Sequence, residues 1–308
     1  MPGALRAEPA DAELVGMSVA QRWLDHYGQR ARAWLDRTPD IARSWAQRWE
    51  LVVGVPLEGG SVSVVLSVEH ESGPAVLKLA APWSRWSQHE AAALRAWGGH
   101  GAVRLLAASD DARALLLERI GPGTPATNMT AADLAAVLGE LTRPAVPPDM
   151  PSFTDAVRLR FDRAEENRHG LLSAEQISRA RRDALGLAGT PRAAPVLCHG
   201  DLLSRNVLRS SDRGLLAIDP NPCAGHPAYD AAQWAVTQPP VAEAPERATA
   251  VAAALGISAD DVLRWVGVLS AVEVCLASPA RAAASLELAR CLGADYVSVS
   301  RSHLLTAG

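Results

Sequence analysis

Cysteine is scarce in this chain of 308 residues, and the four present (Cys198, Cys223, Cys275 and Cys291) form neither a C-x-x-C pair nor a metal-like spacing with histidine. Those gaps argue against a disulfide framework and a zinc site, so the thiols read as reduced packing residues. Long hydrophobic runs are missing too. No apolar stretch reaches the roughly eighteen residues of a membrane span, and the N-terminus lacks the basic-then-apolar order of a secretory signal. A cytoplasmic protein without a membrane partner is expected. Positive charge is not in excess: the formal net charge is −4, with arginines scattered among acids, which removes the electrostatic footprint of a nucleic-acid binder. That mild acidity suits a small cationic substrate.

What is present is core-forming material. Hydrophobic residues make up 48% of the chain, at a length where one core commonly becomes two. Two lobes are expected, residues 1–120 and 121–308. The first dozen residues, rich in Ala, Pro and acid, read as a frayed end. Val19 to Trp49 carries Trp23, Leu24, Trp34, Leu35, Ile41 and Trp45 at helical spacing, which predicts one or two leading helices. The period then changes. Leu51 to Val53, Ser61 to Val68 and Ala75 to Leu79 are short β-branched runs parted by Gly and Pro, which predict three antiparallel strands. Gln88 to Trp97 reads as a helix, and Val103 to Ala107 with Ala114 to Ile120 as a hairpin around Ser109-Asp110-Asp111. The first lobe is therefore a five-stranded antiparallel sheet with a helix. Gly121 to Pro125 breaks every pattern and marks the boundary. Beyond it Thr130 opens a helix over Ala131 to Leu141. The rest is Ala/Leu/Arg-rich helix with strand-like patches at Val196 to Cys198 and Leu215 to Ile218, and a loop near Gln238 to Pro245. The fold class is α+β.

The chemistry concentrates in His199-Gly200-Asp201-Leu202-Leu203-Ser204-Arg205-Asn206. In H-x-D-x4-N a carboxylate can take the proton of an acceptor hydroxyl, while an amide oxygen a few residues on can ligate magnesium. Asp219 follows at the end of an apolar run, placed as a second magnesium ligand on the far strand of a hairpin; an amide with a carboxylate is the hard-donor pair Mg²⁺ prefers. A capped turn at Asp201 and another at Asp219 remain the alternatives for either motif alone. Upstream, Lys78 sits on an alternating strand and Glu90 on the next helix, the pairing that holds the α- and β-phosphates of ATP in kinases. Gly59-Gly60-Ser61 can bring backbone N–H groups close to phosphate or can be a plain β-turn. The run Leu115 to Ile120, including Glu118, can offer one backbone C=O and one N–H to adenine.

These segments, with Ala102 to Leu106, Pro122 to Pro125 and Gly225-His226-Pro227-Ala228-Tyr229-Asp230, resemble the aminoglycoside phosphotransferase family, in its streptomycin 6-kinase and hydroxyurea kinase branch, from about Trp49 to Trp234. The resemblance implies a two-lobed protein-kinase-like fold with a mainly helical second lobe. It implies Asp201 as catalytic base, Asn206 and Asp219 on Mg²⁺, and Lys78 with Glu90 on the phosphates of ATP. It also implies Asp230 as a brace for the catalytic loop through His199 or Arg205. Leu203 stands where many aminoglycoside kinases have His, and His226 where this branch often has an acid. A guanidinium-bearing acceptor such as streptomycin would want carboxylates, and Asp155, Asp162, Glu165, Glu166 and Glu273 are the candidates. Glu273 lies in an apolar run and needs a partner, either the substrate or an arginine such as Arg264. The expected function is O-phosphotransfer to an aminoglycoside. Another hydroxylated metabolite or hydroxyurea is the alternative acceptor, and an inactive nucleotide-binding regulator is the alternative class.

Overall fold

The computed structural model describes residues 17–57, 63–167, 170–190 and 194–292. The frayed end expected at the N-terminus lies outside them. The chain divides into two compact units, one of residues 1–99 and 103–123, the other of residues 100–102 and 124–308.

The first unit opens with helices α1 (Met17–Tyr27) and α2 (Gln29–Arg48). Strands β1 (Val52–Pro56), β2 (Ser63–His70) and β3 (Gly73–Ala80) precede helix α3 (Ser87–Trp97), and β4 (Leu105–Ala108) and β5 (Ala114–Glu118) complete the sheet. All five strands pair antiparallel in the order β1-β2-β3-β5-β4. Alternation explains which face is covered. Val64, Leu66 and Val68 of β2 stand opposite Leu79, Leu77 and Ala75 of β3, and these six residues share one buried cluster with Trp23, Ala31, Trp34 and Ala42 of the leading helices. The helices thus bury the apolar face of a period-2 pattern. Trp83, in the loop after β3, stacks on Tyr27 and meets Trp23 and Trp34 edge-on.

The segment expected to be irregular contains a short strand, β6 (Pro122–Pro125). Proline is tolerated there because β6 is the edge of a three-stranded sheet of order β6-β8-β9. Helices α4 (Ala131–Leu141), α5 (Phe153–Glu166) and α6 (Ala174–Gly189) follow. Thr130 caps α4 in a reciprocal box with Asp133, whose carboxyl is held below its usual range by the Thr130 backbone N–H and hydroxyl. Then come β7 (Val196–Cys198), a 3₁₀ turn (Ser204–Asn206), β8 (Val207–Ser210), β9 (Gly214–Ala217) and β10 (Cys223–Gly225), which pairs with β7. Helices α7 (Pro227–Thr237), α8 (Ala244–Leu255), α9 (Ala259–Leu276) and α10 (Pro279–Cys291) complete the unit. The loop expected near Gln238 to Pro245 holds a 3₁₀ turn (Val241–Glu243) and the start of α8. Pro245 initiates that helix because its fixed φ suits a first turn. Phe153, Tyr229 and Trp265 join α5, α7 and α9, with ring centroids 5.0–5.1 Å apart.

Leu77 has no exposed surface and sits mid-strand in β3. Leu77→Ala is expected to cost about 2–5 kcal/mol of stability, read as a lower urea midpoint for the transition that reports on tryptophan fluorescence.

Candidate active site

In the first unit, the alternation that buries Ala75, Leu77 and Leu79 turns Lys78 to the other face of β3. There its Nζ meets Glu90 Oε1 of α3 at 2.6 Å, both side chains more than nine-tenths buried. A buried pair of this kind is weak evidence for stability but fixes the position of an amine. Lys78 is also the only lysine of the chain; every other side chain that is cationic irrespective of histidine protonation is arginine. Glu118 closes the β4–β5 pairing, its carboxylate accepting the Arg104 N–H at 2.6 Å. Just beyond, the backbone N–H and C=O of Ile120 bond to no described residue, although the residue is buried. Buried backbone groups want partners, so this position suits a ligand edge with one donor and one acceptor. Gly59, Gly60 and Ser61 lie outside the described residues.

In the second unit, β7 delivers the chain into His199. The buried carboxylate of Asp230, on α7, accepts the N–H of His199 at 2.7 Å and the N–H of Gly200 at 2.8 Å. Gln233, one helical turn on, donates to the Gly200 carbonyl at 2.9 Å and accepts the Leu202 N–H at 3.1 Å. One face of α7 therefore templates the loop. Gly200 has φ +78°, and a Cβ there would lie 1.9 Å from the Asn221 carbonyl oxygen, so no other residue fits between His199 and Asp201. The His199 ring bridges the Ile218 carbonyl at 3.0 Å and the Asp201 N–H at 3.3 Å. The brace expected of Asp230 runs through backbone N–H groups of the loop; Arg205 is exposed and takes no part in it.

Asn206 donates to both the backbone carbonyl of Asp201, at 2.8 Å, and its carboxylate Oδ2, at 3.1 Å. With its amide nitrogen committed, its oxygen is left for a cation. The register Val207↔Ala217 and the bond from the Ile218 N–H to the Asn206 carbonyl bring Asp219 beside Asn206 at the open end of the β8–β9 hairpin. Asp219 has φ +57°, a region that costs a non-glycine residue on the order of 1 kcal/mol and is retained where a side chain must be aimed. An amide oxygen and a carboxylate in adjacent hairpin positions are a fitting donor set for Mg²⁺.

Sequence reasoning missed Arg160, whose Nη1 lies 3.3 Å from Asp201 Oδ1. Its signal was available: Arg160 interrupts the buried helical stripe Ala156, Val157, Phe161 and Ala164 of α5. Burial works against its charge, but Tyr229, Asp201 and Glu273 outweigh that and hold the guanidinium protonated, above its usual range. Gln233 was missed as well, although it stands one turn from Asp230.

The acids considered for a cationic substrate are distributed otherwise. Asp155 lies in the first turn of α5, hydrogen-bonded to the Ser152 hydroxyl at 2.7 Å and paired with Arg158 at 2.9 Å. Asp162 and Glu165 share Arg181, at 2.7 and 3.4 Å. Glu166 is exposed at the end of α5. Glu273 pairs with Arg281 at 3.0 Å, a partner supplied by α10 where Arg264 had been the example, because α10 folds back along α9. Burial raises the Glu273 carboxyl above its usual range, against the pull of Arg160 and Arg281.

A five-stranded antiparallel sheet carrying a lysine–glutamate pair, and a mainly helical unit carrying H-x-D-x4-N and a following aspartate, define a kinase-like phosphotransferase acting on hydroxyl groups. A family model for aminoglycoside/hydroxyurea antibiotic resistance kinases matches residues 48–275. The chain belongs to that family. It is 33% identical over 194 residues to a hydroxyurea phosphotransferase of Kitasatospora aureofaciens, a match covering 60% of this chain and 56% of that protein. It is 31% identical to a streptomycin 6-kinase of Streptomyces griseus, over 66% of this chain and 68% of that one. In fold it is similar to a choline kinase of Streptococcus pneumoniae, with a TM-score of 0.57, 11% identity, and coverage of 85% of this chain and all of that one. No described helix is long and apolar enough to cross a membrane.

Burial, partly offset by the Gly200 and His199 N–H donors, pushes the Asp230 carboxyl up to about 6. The folded state then holds this proton more tightly than the unfolded chain, so stability falls as pH rises from about 4 to about 6 and levels above. Native protein is expected to lose on the order of 2–3 kcal/mol across that window relative to Asp230→Asn. Paired urea titrations at pH 4, 5, 6 and 7 read the difference; a flat difference refutes it.

Proposed function

We propose that this chain transfers the γ-phosphoryl group of ATP to a hydroxyl of a small molecule in the cytoplasm, with an aminoglycoside such as streptomycin as acceptor. The observation that carries the reading is the loop templated by Asp230, in which Asp201 is held through one carboxylate oxygen by the Asn206 amide. In this reading Asp201 accepts the proton of the acceptor hydroxyl as its oxygen forms a bond to the γ-phosphorus and ADP leaves. Lys78, steadied by Glu90, holds the α- and β-phosphates. The backbone at Glu118 to Ile120 receives adenine, and Gly59, Gly60 and Ser61 approach the phosphates. Asn206 and Asp219 hold Mg²⁺, which neutralises phosphate charge when bound. His199 and Asp230 keep the loop in register, and Arg205 stays at the surface.

Family membership and the streptomycin 6-kinase relative support the aminoglycoside acceptor. A second reading, hydroxyurea or another uncharged hydroxylated metabolite, draws support from the arginines that already occupy Asp155, Asp162, Glu165 and Glu273. An inactive regulator would not need Lys78, Asp201, Asn206 and Asp219 together.

Incubation with Mg-ATP and a panel of acceptors tests the reading: streptomycin is expected to be phosphorylated, and its failure beside turnover of hydroxyurea selects the second acceptor. Asp201→Asn is expected to lower kcat by about 10²–10⁴-fold while leaving the affinity for ATP within a few-fold; full activity would exclude Asp201 as the base. Because Lys78 is the only side-chain amine, an amine-directed acyl-phosphate derivative of ATP is expected to label one internal tryptic site, and excess Mg-ATP to protect it. Removing the carboxylate in Asp219→Ala is expected to raise the Mg²⁺ concentration for half-maximal activity about 10–100-fold.

A further inference from the structure

The environment of Asp201 constrains the acceptor's shape as well as its reaction. Its two oxygens each accept one hydrogen bond, Oδ2 from the Asn206 amide at 3.1 Å, and each keeps a lone pair for an acceptor hydroxyl, the oxygen with the longer contact being Oδ1. That oxygen already faces Arg160 Nη1 at 3.3 Å. A hydroxyl poised for proton transfer must lie about 2.7 Å from the base oxygen. An acceptor hydroxyl on this carboxylate is therefore a neighbour of the guanidinium, and on Oδ1 the two share one oxygen.

Arg160 has donors to spare. The contact with Asp201 is its only hydrogen bond among the described residues. Nε is sealed from solvent without a partner, whereas Nη2 is not among the sealed atoms. Of five guanidinium donors, one is used on the base and at least one remains open beside it. The group is fixed in place: its side chain is 15% exposed, and it is carried on α5 between Asp201 and Glu273, with Glu273 itself tied to Arg281. A cation so placed repels a positive group next to the reacting hydroxyl and rewards a lone pair there.

We infer that Arg160 is a specificity-determining residue that donates to an oxygen on the atom adjoining the one that carries the phosphorylated hydroxyl. The inference rests on the phosphotransfer reading and deepens it. The substrate class it selects is a hydroxyl with a vicinal oxygen: a vicinal diol of a cyclitol ring, or an N-hydroxyl next to a carbonyl. Positive groups of such a substrate are directed away from the base. This one requirement accommodates both acceptors named for the family, although one is a polycation and the other is neutral.

Matched acceptor pairs test it, with ADP release from Mg-ATP as the readout in wild-type, Arg160→Met and Arg160→Lys proteins. One pair is hydroxyurea and N-methylhydroxylamine, which lacks the carbonyl. The other is streptomycin and its derivative lacking the hydroxyl next to the phosphorylated one. Wild-type protein is expected to favour the vicinal-oxygen member at least tenfold in kcat/KM, and Arg160→Met to lose that preference while keeping its KM for ATP. Arg160→Lys, which retains the charge but not the fork, is expected to recover part of it; it also supplies the comparison if the methionine variant fails to fold. An equal preference in wild type and variants, or none in wild type, overturns the role of Arg160. ADP release that no acceptor in the panel stimulates overturns the phosphotransfer reading, and the inference with it.

Discussion

Two hydrogen bonds carry the geometry of the second unit: the N–H groups of His199 and Gly200 pointing into the buried carboxylate of Asp230. Loop backbone cannot be buried unless its polar groups find partners, and here one side chain of α7 satisfies two successive donors. Gln233 then takes the next acceptor and donor in line, the Gly200 carbonyl and the Leu202 N–H. The loop is thereby copied from the surface of a helix that is itself almost wholly buried. Everything downstream inherits that register: the His199 ring on Ile218, the Asn206 amide on Asp201, and the hairpin that puts Asp219 beside Asn206.

Charge is managed by arginine almost throughout. With a single lysine in the chain, the compact ammonium is placed in a buried pair with Glu90, while planar guanidinium groups neutralise acids elsewhere. Arg181 serves two carboxylates of α5, and Arg281 serves Glu273. These pairs compensate Asp162, Glu165 and Glu273, and the charged group against the base is a cation, Arg160. Net acidity of the sequence therefore does not fix the sign of the charge beside Asp201, because charge balance is local.

Much of this was legible beforehand, for identifiable reasons. Period-2 alternation in Val64 to Val68 and Ala75 to Leu79 requires one buried face, and that alone turns Lys78 to the other. The spacing of Asp201, Asn206 and Asp219 is short enough that one turn and one hairpin bring the three together. Thr130 announces its helix through a local hydrogen bond with Asp133. Less was visible where partners are distant in sequence. The pairing of β10 with β7, of Arg160 with Asp201 across 41 residues, and of Glu273 with Arg281 depends on how helices stack. The strand at Pro122–Pro125 was read as a break because proline's local preference was weighed without knowing that the segment lies at a sheet edge.

The sequence by itself determined the order of elements, the two kinds of lobe and the residues able to do phosphoryl-transfer chemistry, since these follow from local periodicity and from short-range spacing of side chains. Only the tertiary structure decided which groups surround the base. Asp230 reaches the loop through backbone rather than through a side chain, four of the five nominated acids are held by arginines, and Arg160 stands against Asp201. Those outcomes depend on contacts between α5, α7, α9 and α10, where burial forces each charge to find its partner in three dimensions and no linear spacing records which one it finds.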